Sequence, residues 1–194
     1  PAVADGLSAF IDQRLGKVVV PAPDTPAFIA NHLGMFGLVK LLHAVASGRY
    51  TIEEVDAITG PAIGRPKSAT FRTLDLAGLD VAAKVAADLE RRLPPAQAAH
   101  FAMPAFVTTM LEKGLIGDKA GQGFYKKVKT ADGSKILTLD LHTFEYRDAT
   151  PVKIASLETA KTIDALPERL RFLMQADDKA GALLRETLTP AIEY

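Results

Sequence analysis

Apolar residues at helical spacing run through most of the chain. In the first segment they recur every three or four positions and predict a helix over 2–15, with Gly16 as the residue that ends it. The β-branched stretch 17–21 that follows predicts a strand or an extended segment. The pattern therefore favours helices from the start of the chain onward.

A long apolar segment is predicted to form the central helix. Asp24 or Thr25 can cap it, Pro26 suits its first position, and the pattern runs to Ser47 before Gly48 ends it. Because this helix is apolar nearly all round, we expect it in the centre of the domain or in an oligomer interface. Its polar residues argue against a membrane span; they are Asn31, His32, Lys40 and His43.

A capping box opens the next predicted helix. Thr51 can accept a hydrogen bond from the amide of Glu54, whose carboxylate reaches back to the amide of Thr51. This helix is expected to end near Gly60. A second short helix is predicted over 69–77, closed by Gly78.

Two more helices are predicted before the pattern changes. Asp80 is expected to cap a helix over 80–93, and another helix is predicted over 104–115. The larger apolar residues of the first one are expected on one face; they are Val81, Val85 and Leu89.

A change of period marks the second half of the chain. The segments 124–129 and 135–141 are typical of strands, and Asp132-Gly133 between them predicts a β-hairpin turn. Helical spacing then returns over 154–165, 168–175 and 178–194. The fold class predicted from the pattern is mainly α with one small β-hairpin.

Composition narrows the class of protein. The chain has 194 residues, 23 basic and 23 acidic side chains and no net charge, which argues against a protein that acts mainly on nucleic acid or membrane surfaces. The absence of cysteine excludes disulfides, thiol nucleophiles and cysteine-held metals. Residues 1–16 lack the pattern of a signal peptide, so a cytoplasmic location is expected. Because the chain begins with proline inside a helical pattern, we expect it to be a piece of a longer polypeptide.

The sequence contains no familiar nucleotide-binding or metal-binding motif. Gly121-Gln122-Gly123 has no strand before it, no helix after it and no third glycine, so it does not predict a dinucleotide site. None of the four histidines has metal-ligand spacing to another histidine or carboxylate. The chain alone is therefore not expected to hold NAD or a metal ion.

Asn31 and a cluster of basic residues each allow more than one interpretation. Asn31 lies in the long apolar helix, where it is either a structural amide or an amide directed at a substrate; spacing alone favours the structural role. The basic cluster at the start of the 69–77 helix fits an anion site, a helix-turn-helix or a solvated loop; it comprises Arg65, Lys67, Ser68 and Arg72. Zero net charge and a long turn weaken the DNA-binding interpretation.

Four segments together resemble one family. Residues 25–33 (TPAFIANHL) are similar to the P-x-F-I-x-N-R-[LI] segment that opens the C-terminal domain of 3-hydroxyacyl-CoA dehydrogenases. Residues 60–66 (GPAIGRP), 71–80 (FRTLDLAGLD) and 117–126 (GDKAGQGFYK) follow in the order and spacing of that family. The resemblance covers 17–127 and implies a helical fold of the 6-phosphogluconate dehydrogenase C-terminal type.

The resemblance also implies an activity and a domain plan. The family uses NAD to oxidise the 3-hydroxyl of L-3-hydroxyacyl-CoA in fatty-acid β-oxidation, with NAD and a catalytic His–Glu pair on a Rossmann domain that would precede Pro1. Residues 1–16 would be the tail of that domain or a connector, and 17–127 the C-terminal domain. Residues 128–194 would hold a hairpin connector and the start of a second helical repeat from about Asp178. The 194-residue chain alone is expected to be inactive.

The resemblance implies roles for only a few residues of this chain. Asn31 matches the family asparagine beside the substrate, which makes it the catalytic candidate and reverses the structural interpretation. His32 stands where the family usually has arginine, and no base role is assigned to it. Arg65, Lys67 and Ser68 become substrate-binding candidates.

The resemblance suggests partners as well. The sequence around Ser68 resembles the multifunctional type, in which the dehydrogenase is fused to an enoyl-CoA hydratase. The expected partners are an acyl-CoA, the NAD-binding domain of the same polypeptide and a second copy of the chain, with no nucleic acid and no membrane span. The alternative from another class is a non-catalytic helical dimerisation module.

Overall fold

Helices dominate the computed structural model, which describes residues 2–130 and 133–194. In chain order they are α1 (Ala2–Leu15), α2 (Phe28–Ala46), α3 (Ile52–Thr59), α4 (Phe71–Ala77), α5 (Leu79–Arg92), α6 (Pro95–Ala98), α7 (Ala105–Glu112), α8 (Ala155–Ala160), α9 (Leu166–Gln175) and α10 (Lys179–Glu193). The prediction of a mainly α fold is confirmed.

One small antiparallel sheet accompanies the helices. Its strands, in spatial order, are β1 (Tyr125–Thr130), β2 (Gly133–Leu139) and β3 (Tyr146–Asp148). The predicted hairpin is therefore present, and β3 adds a strand that the alternating pattern was too short to indicate. Asp132 of the predicted turn lies outside the described residues.

The first helix stands apart from the core. No residue of α1 is buried, and Gly16 ends it at φ 60° with its amide bonded to the carbonyl of Asp12 at 3.1 Å. Segment 17–21 forms no strand among the described residues, because no neighbouring strand pairs with it. The predicted helix is confirmed, and only the extended alternative remains for 17–21.

The central helix begins later than predicted. α2 starts at Phe28 behind a left-handed residue, Ala27 (φ 62°), and no side chain caps it. The predicted caps, Asp24 and Thr25, are wrong, because this left-handed turn separates them from the first helical turn. Thr25 contributes its backbone carbonyl instead, which accepts from the amide of Phe28 at 3.1 Å.

The second half of α2 forms the centre of the hydrophobic core. Its buried residues are Met35, Phe36, Val39, Leu41, Leu42, Ala44 and Val45. In the described part of the chain, α2 is also the one helix long and apolar enough to cross a bilayer. Burial of this half among the other helices accounts for its apolar character in the domain.

The apolar residues of α5 are divided between the core and an open cleft. Its buried residues are Leu79, Ala82, Ala86 and Leu89, whereas Val81 is 48% exposed. Val81 and Val85 line an open cleft, Val85 also packs against the core, and Leu89 is fully buried in it. The predicted cap is wrong, because Asp80 lies inside the helix and pairs with Lys119 at 2.5 Å.

Polar contacts join the last third of the chain to the core. The guanidinium of Arg147 donates to both carboxylate oxygens of Glu53 on α3, at 2.7 and 3.1 Å. Arg49, after α2, forms an equivalent pair with Glu186 of α10 at 2.7 and 2.9 Å. The capping box is confirmed at Thr51 and Glu54.

Candidate functional site

An apolar cleft opens beside the first half of α2. It has a volume of about 540 Å³, and residues from α2, α4, α5 and α10 line it. Its α2 wall is built partly from Gly34 and Gly37, beside which a Cβ atom would meet open space. Its lining includes the polar side chains Asn31 and Arg65, both of them exposed. The cleft thus combines an apolar interior with a few polar groups, which is typical of a small-molecule site.

Asn31 presents a free amide to this cleft. It lies in the first turn of α2, is exposed, and has no hydrogen-bond partner among the described residues. A structural asparagine would have its donor and acceptor occupied by neighbouring groups. The geometry leaves the Asn31 amide available for an external oxygen.

The other predicted site residues are only partly assembled. Arg65 is exposed and lines the cleft with Asn31, whereas Lys67 is exposed outside the lining. The Ser68 hydroxyl accepts a hydrogen bond from the hydroxyl of Thr73 at 2.8 Å. Arg72 forms a two-pronged pair with Asp118 at 2.5 and 2.7 Å, so its charge is compensated within the domain.

The histidines make local contacts. His43 Nε2 lies 2.9 Å from the carbonyl oxygen of Ala102, and both ring nitrogens of His32 have partners. Among residues 2–130 and 133–194, no group of three or more histidine, aspartate or glutamate side chains could hold a metal ion.

Buried Asp75 ties together two of the segments that carry the family resemblance. Its carboxylate oxygens accept from the amides of Phe124 and Tyr125, each at 2.8 Å. A Cβ at Gly117 would lie 2.2 Å from the Asp75 carbonyl oxygen, and one at Gly123 would lie 2.0 Å from its carboxylate. Glycine at both positions is therefore required by packing on Asp75, and Gly121-Gln122-Gly123 is a structural turn.

Burial dominates the electrostatics of Asp75. Removal from water disfavours its charged form and raises the pKa to about 6, although the two amide hydrogen bonds act in the opposite direction. This buried carboxyl group fixes the end of α4 against β1.

Asp56 on α3 holds the other end of α4. Its carboxylate accepts from the amides of Thr70 and Phe71 at 3.0 and 2.7 Å, and from the hydroxyl of Tyr125 at 2.8 Å. Burial raises its pKa above the ordinary value, while these hydrogen bonds oppose the shift. This role of Asp56 leaves no local signal in the sequence, because Asp56 lies 14 residues before Thr70 and the bond depends on how α3 and α4 pack.

Comparison with known proteins identifies the family. The sequence profile of the 3-hydroxyacyl-CoA dehydrogenase C-terminal domain matches residues 28–127, and the chain belongs to this family. A probable 3-hydroxyacyl-CoA dehydrogenase of Bacillus subtilis is 44% identical over all 194 residues, which span 24% of that relative. A putative fatty acid oxidation complex trifunctional enzyme of Rickettsia felis is 28% identical over 99% of this chain and 25% of its own length.

A solved structure shares the fold. The crystal structure of FadB2 from M. tuberculosis superposes with a TM-score of 0.56 at 31% identity and covers 66% of this chain and 43% of its own. The chain spans about a quarter of the length of the two relatives named above. Their match extends past residue 127 to α8–α10, beyond the segment that the family profile covers.

Proposed function

We propose that this chain is the substrate-side domain of an NAD-dependent L-3-hydroxyacyl-CoA dehydrogenase of fatty-acid β-oxidation. The supporting observation is the exposed Asn31 amide, unpartnered among the described residues, in the lining of an apolar cleft of a chain that belongs to this family. The 3-hydroxyl of the substrate becomes a ketone, and the acyl chain extends over the apolar wall.

Asn31 has a positioning and electrostatic role in this proposal. Its amide N–H donates to the reacting oxygen or to the thioester carbonyl, which orients the substrate and stabilises the oxygen as its charge changes. The free-energy cost of this role is small, because the Asn31 side chain is exposed and breaks no hydrogen bond to another described residue when it binds a substrate.

NAD accepts the hydride in this reaction and is held by another domain. The glycine-rich turn Gly121-Gln122-Gly123 does not serve as a binding site for the NAD phosphates. Its Gly123 packs on Asp75, and β1 rather than a helix follows the turn. In this proposal the NAD-binding domain, with the catalytic His–Glu pair, precedes residue 1 in the same polypeptide.

Arg65 and Lys67 are the proposed contacts for the phosphates of coenzyme A. Both are exposed cationic side chains on the loop before α4, and Arg65 reaches the cleft. Ser68 is proposed to contribute through the same loop, with its hydroxyl already shared with Thr73.

The domain plan and the surroundings of the chain are part of the proposal. Residues 1–16 connect to the NAD-binding domain, 17–127 form the C-terminal domain, and 128–194 form the connector and the start of a second repeat. The Rickettsia felis relative supports a multifunctional protein, with an enoyl-CoA hydratase as the proposed fused partner and the cytoplasm as its location.

Kinetics of the complete dehydrogenase test the role of Asn31. We expect Asn31→Ala to lower kcat for acetoacetyl-CoA reduction by about a hundredfold, by loss of one preorganised donor, while KM for NADH is unchanged. The isolated 194-residue chain should show no turnover. An unchanged kcat in Asn31→Ala, or turnover by the isolated chain, would contradict the proposal.

One observation favours a second function, helical dimerisation without chemistry. The start of α2 exposes three large apolar side chains, Phe28 (61%), Ile29 (49%) and Leu33 (41%). In that case Leu33→Glu should convert a dimer to a monomer in light scattering. Leu76→Glu, at an exposed position on α4, is the control. A wild-type monomer would rule out dimerisation through this surface.

A further inference from the structure

A histidine next to Asn31 bridges two distant parts of the chain. His32 Nδ1 lies 3.1 Å from the carbonyl oxygen of Pro26, in the turn before α2. Its Nε2 lies 2.8 Å from the hydroxyl oxygen of Tyr194, directly after α10. Both nitrogens of the ring are thus engaged, each by a different segment.

These contacts define which atoms carry the protons. A carbonyl oxygen can only accept, so Nδ1 of His32 donates to Pro26. In the neutral ring Nε2 is then an acceptor, and the Tyr194 hydroxyl donates to it. Burial raises the pKa of Tyr194, which keeps that hydroxyl protonated and able to donate.

The turn that His32 contacts has strained backbone angles. Ala27 and Phe28 adopt left-handed φ angles of 62° and 51°, which disfavour residues that carry a Cβ atom. No side chain caps the helix that follows. Besides the backbone bond from Phe28 to Thr25, the bond from His32 to Pro26 helps to hold this turn.

Aromatic packing holds the His32 ring in place. The ring meets Phe101 edge to face with centroids 5.1 Å apart, and Tyr194 stacks on Phe36 at 4.3 Å. Phe36 and Phe101 belong to the buried core. The start of α2 and the end of α10 are therefore joined through one aromatic cluster.

We propose that His32 is a positioning residue that sets the direction of the Asn31 amide, with Tyr194 as its counterpart at the end of α10. Consecutive residues of a helix point about 100° apart, so His32 anchors the first turn on the core side while Asn31 faces the cleft. The inference rests on the proposed role of Asn31. It also gives α10 a part in the site, although Tyr194 lies outside the matched segment 28–127.

Steady-state kinetics of the complete dehydrogenase test this inference. We expect His32→Leu to lower kcat by about tenfold and Tyr194→Phe, which removes one hydroxyl, by about threefold. KM for NADH should stay constant. His32→Asn should restore most of the lost kcat, because its amide can donate to Pro26 from nearly the position of Nδ1.

A matched control lies on the same helix. His43 also bonds a backbone carbonyl, that of Ala102 at 2.9 Å, but three turns away from Asn31. His43→Leu should lower the melting temperature by a similar amount to His32→Leu and leave kcat unchanged. Equal kcat values in His32→Leu and His43→Leu would overturn the inference.

A double-mutant cycle separates this inference from the proposed function. If His32 acts through Asn31, the Asn31→Ala/His32→Leu enzyme should be no slower than Asn31→Ala alone. A further tenfold loss in the double variant would overturn the positioning role and leave Asn31 in place. Full activity of Asn31→Ala would instead overturn the proposed function. Should His32→Leu fail to fold, full activity of Tyr194→Phe would overturn the inference.

Discussion

Two regions of the helical domain differ in how their polar groups are satisfied. Around α4, half-buried Asp56 and buried Asp75 each accept two or more hydrogen bonds from backbone amides or a hydroxyl. At the start of α2, the Asn31 amide is exposed and has no partner among the described residues. The comparison separates a region whose polar groups serve the fold from one whose polar group is free for a ligand.

The same contrast holds for the backbone. Near Asp75 the chain approaches itself so closely that glycine is the residue that fits at 117 and 123. At the start of α2, Ala27 and Phe28 take left-handed φ angles without being glycine. The first region is determined by close packing, and the second stores local strain that contacts such as His32 with Pro26 offset.

The largest effect is expected from filling the space beside Asp75. In Gly117→Ala the new Cβ would lie 2.2 Å from a backbone oxygen, so we expect a loss of about 3 kcal/mol or more in unfolding free energy. Gly121→Ala is the control, because Gly121 also has a positive φ (72°) but open space around it. It should cost about 1–2 kcal/mol. Equal losses in urea denaturation of the two variants would show that packing on Asp75 is unimportant.

Stability should also depend on pH through Asp75. Its folded-state pKa of about 6 exceeds the ordinary 3.8, so between these values the folded chain binds more protons than the unfolded chain. The contribution of Asp75 is then fully present below about pH 4 and is lost as pH rises through 6. The loss is on the order of 2–3 kcal/mol.

Asp75→Asn is the reference for this pH dependence. Urea denaturation from pH 4 to 7 should show wild type losing stability relative to Asp75→Asn as the pH rises. Parallel curves for the two proteins would contradict the raised pKa. Other carboxylates, such as Glu53 beside Arg147, have lowered pKa values and remain in both proteins, so the comparison removes their opposite contribution.

The smallest effect on stability is expected at the start of α2. Because Asn31 is exposed and has no partner among the described residues, Asn31→Ala should change the unfolding free energy by less than about 0.5 kcal/mol. Together with the expected loss of kcat, this would mark Asn31 as a functional residue. If Asn31→Ala lowered the unfolding free energy by more than about 1 kcal/mol in a denaturation experiment, Asn31 would be a structural residue.

Local patterns in the sequence predicted much of the fold. The helical period located α1, α3 and α10, and the Thr51–Glu54 capping box was correct in both hydrogen bonds. The family was also indicated by short motifs in the right order and is confirmed by comparison. These features depend on residues within a few positions of one another, or on their order along the chain.

The prediction was weaker where distant contacts decide. Apolar spacing grouped Val81 and Leu89 on one face of α5, but only the packing of the other helices decides that Val81 lies in the cleft and Leu89 in the core. The helix start at Phe28 was missed, because Pro26 and Thr25 have good local propensities that the tertiary turn overrides.

By itself, the sequence determined the helical class, most element positions, the family and the candidacy of Asn31. Only the tertiary structure decided that Asp75 bonds amides 49 and 50 residues away, that Asn31 opens onto a cleft with Arg65, and that His32 meets Tyr194. The physical reason is the separation along the chain between the residues that interact. Helix period and capping arise between residues up to four positions apart, whereas burial and long-range hydrogen bonds depend on how the whole chain packs.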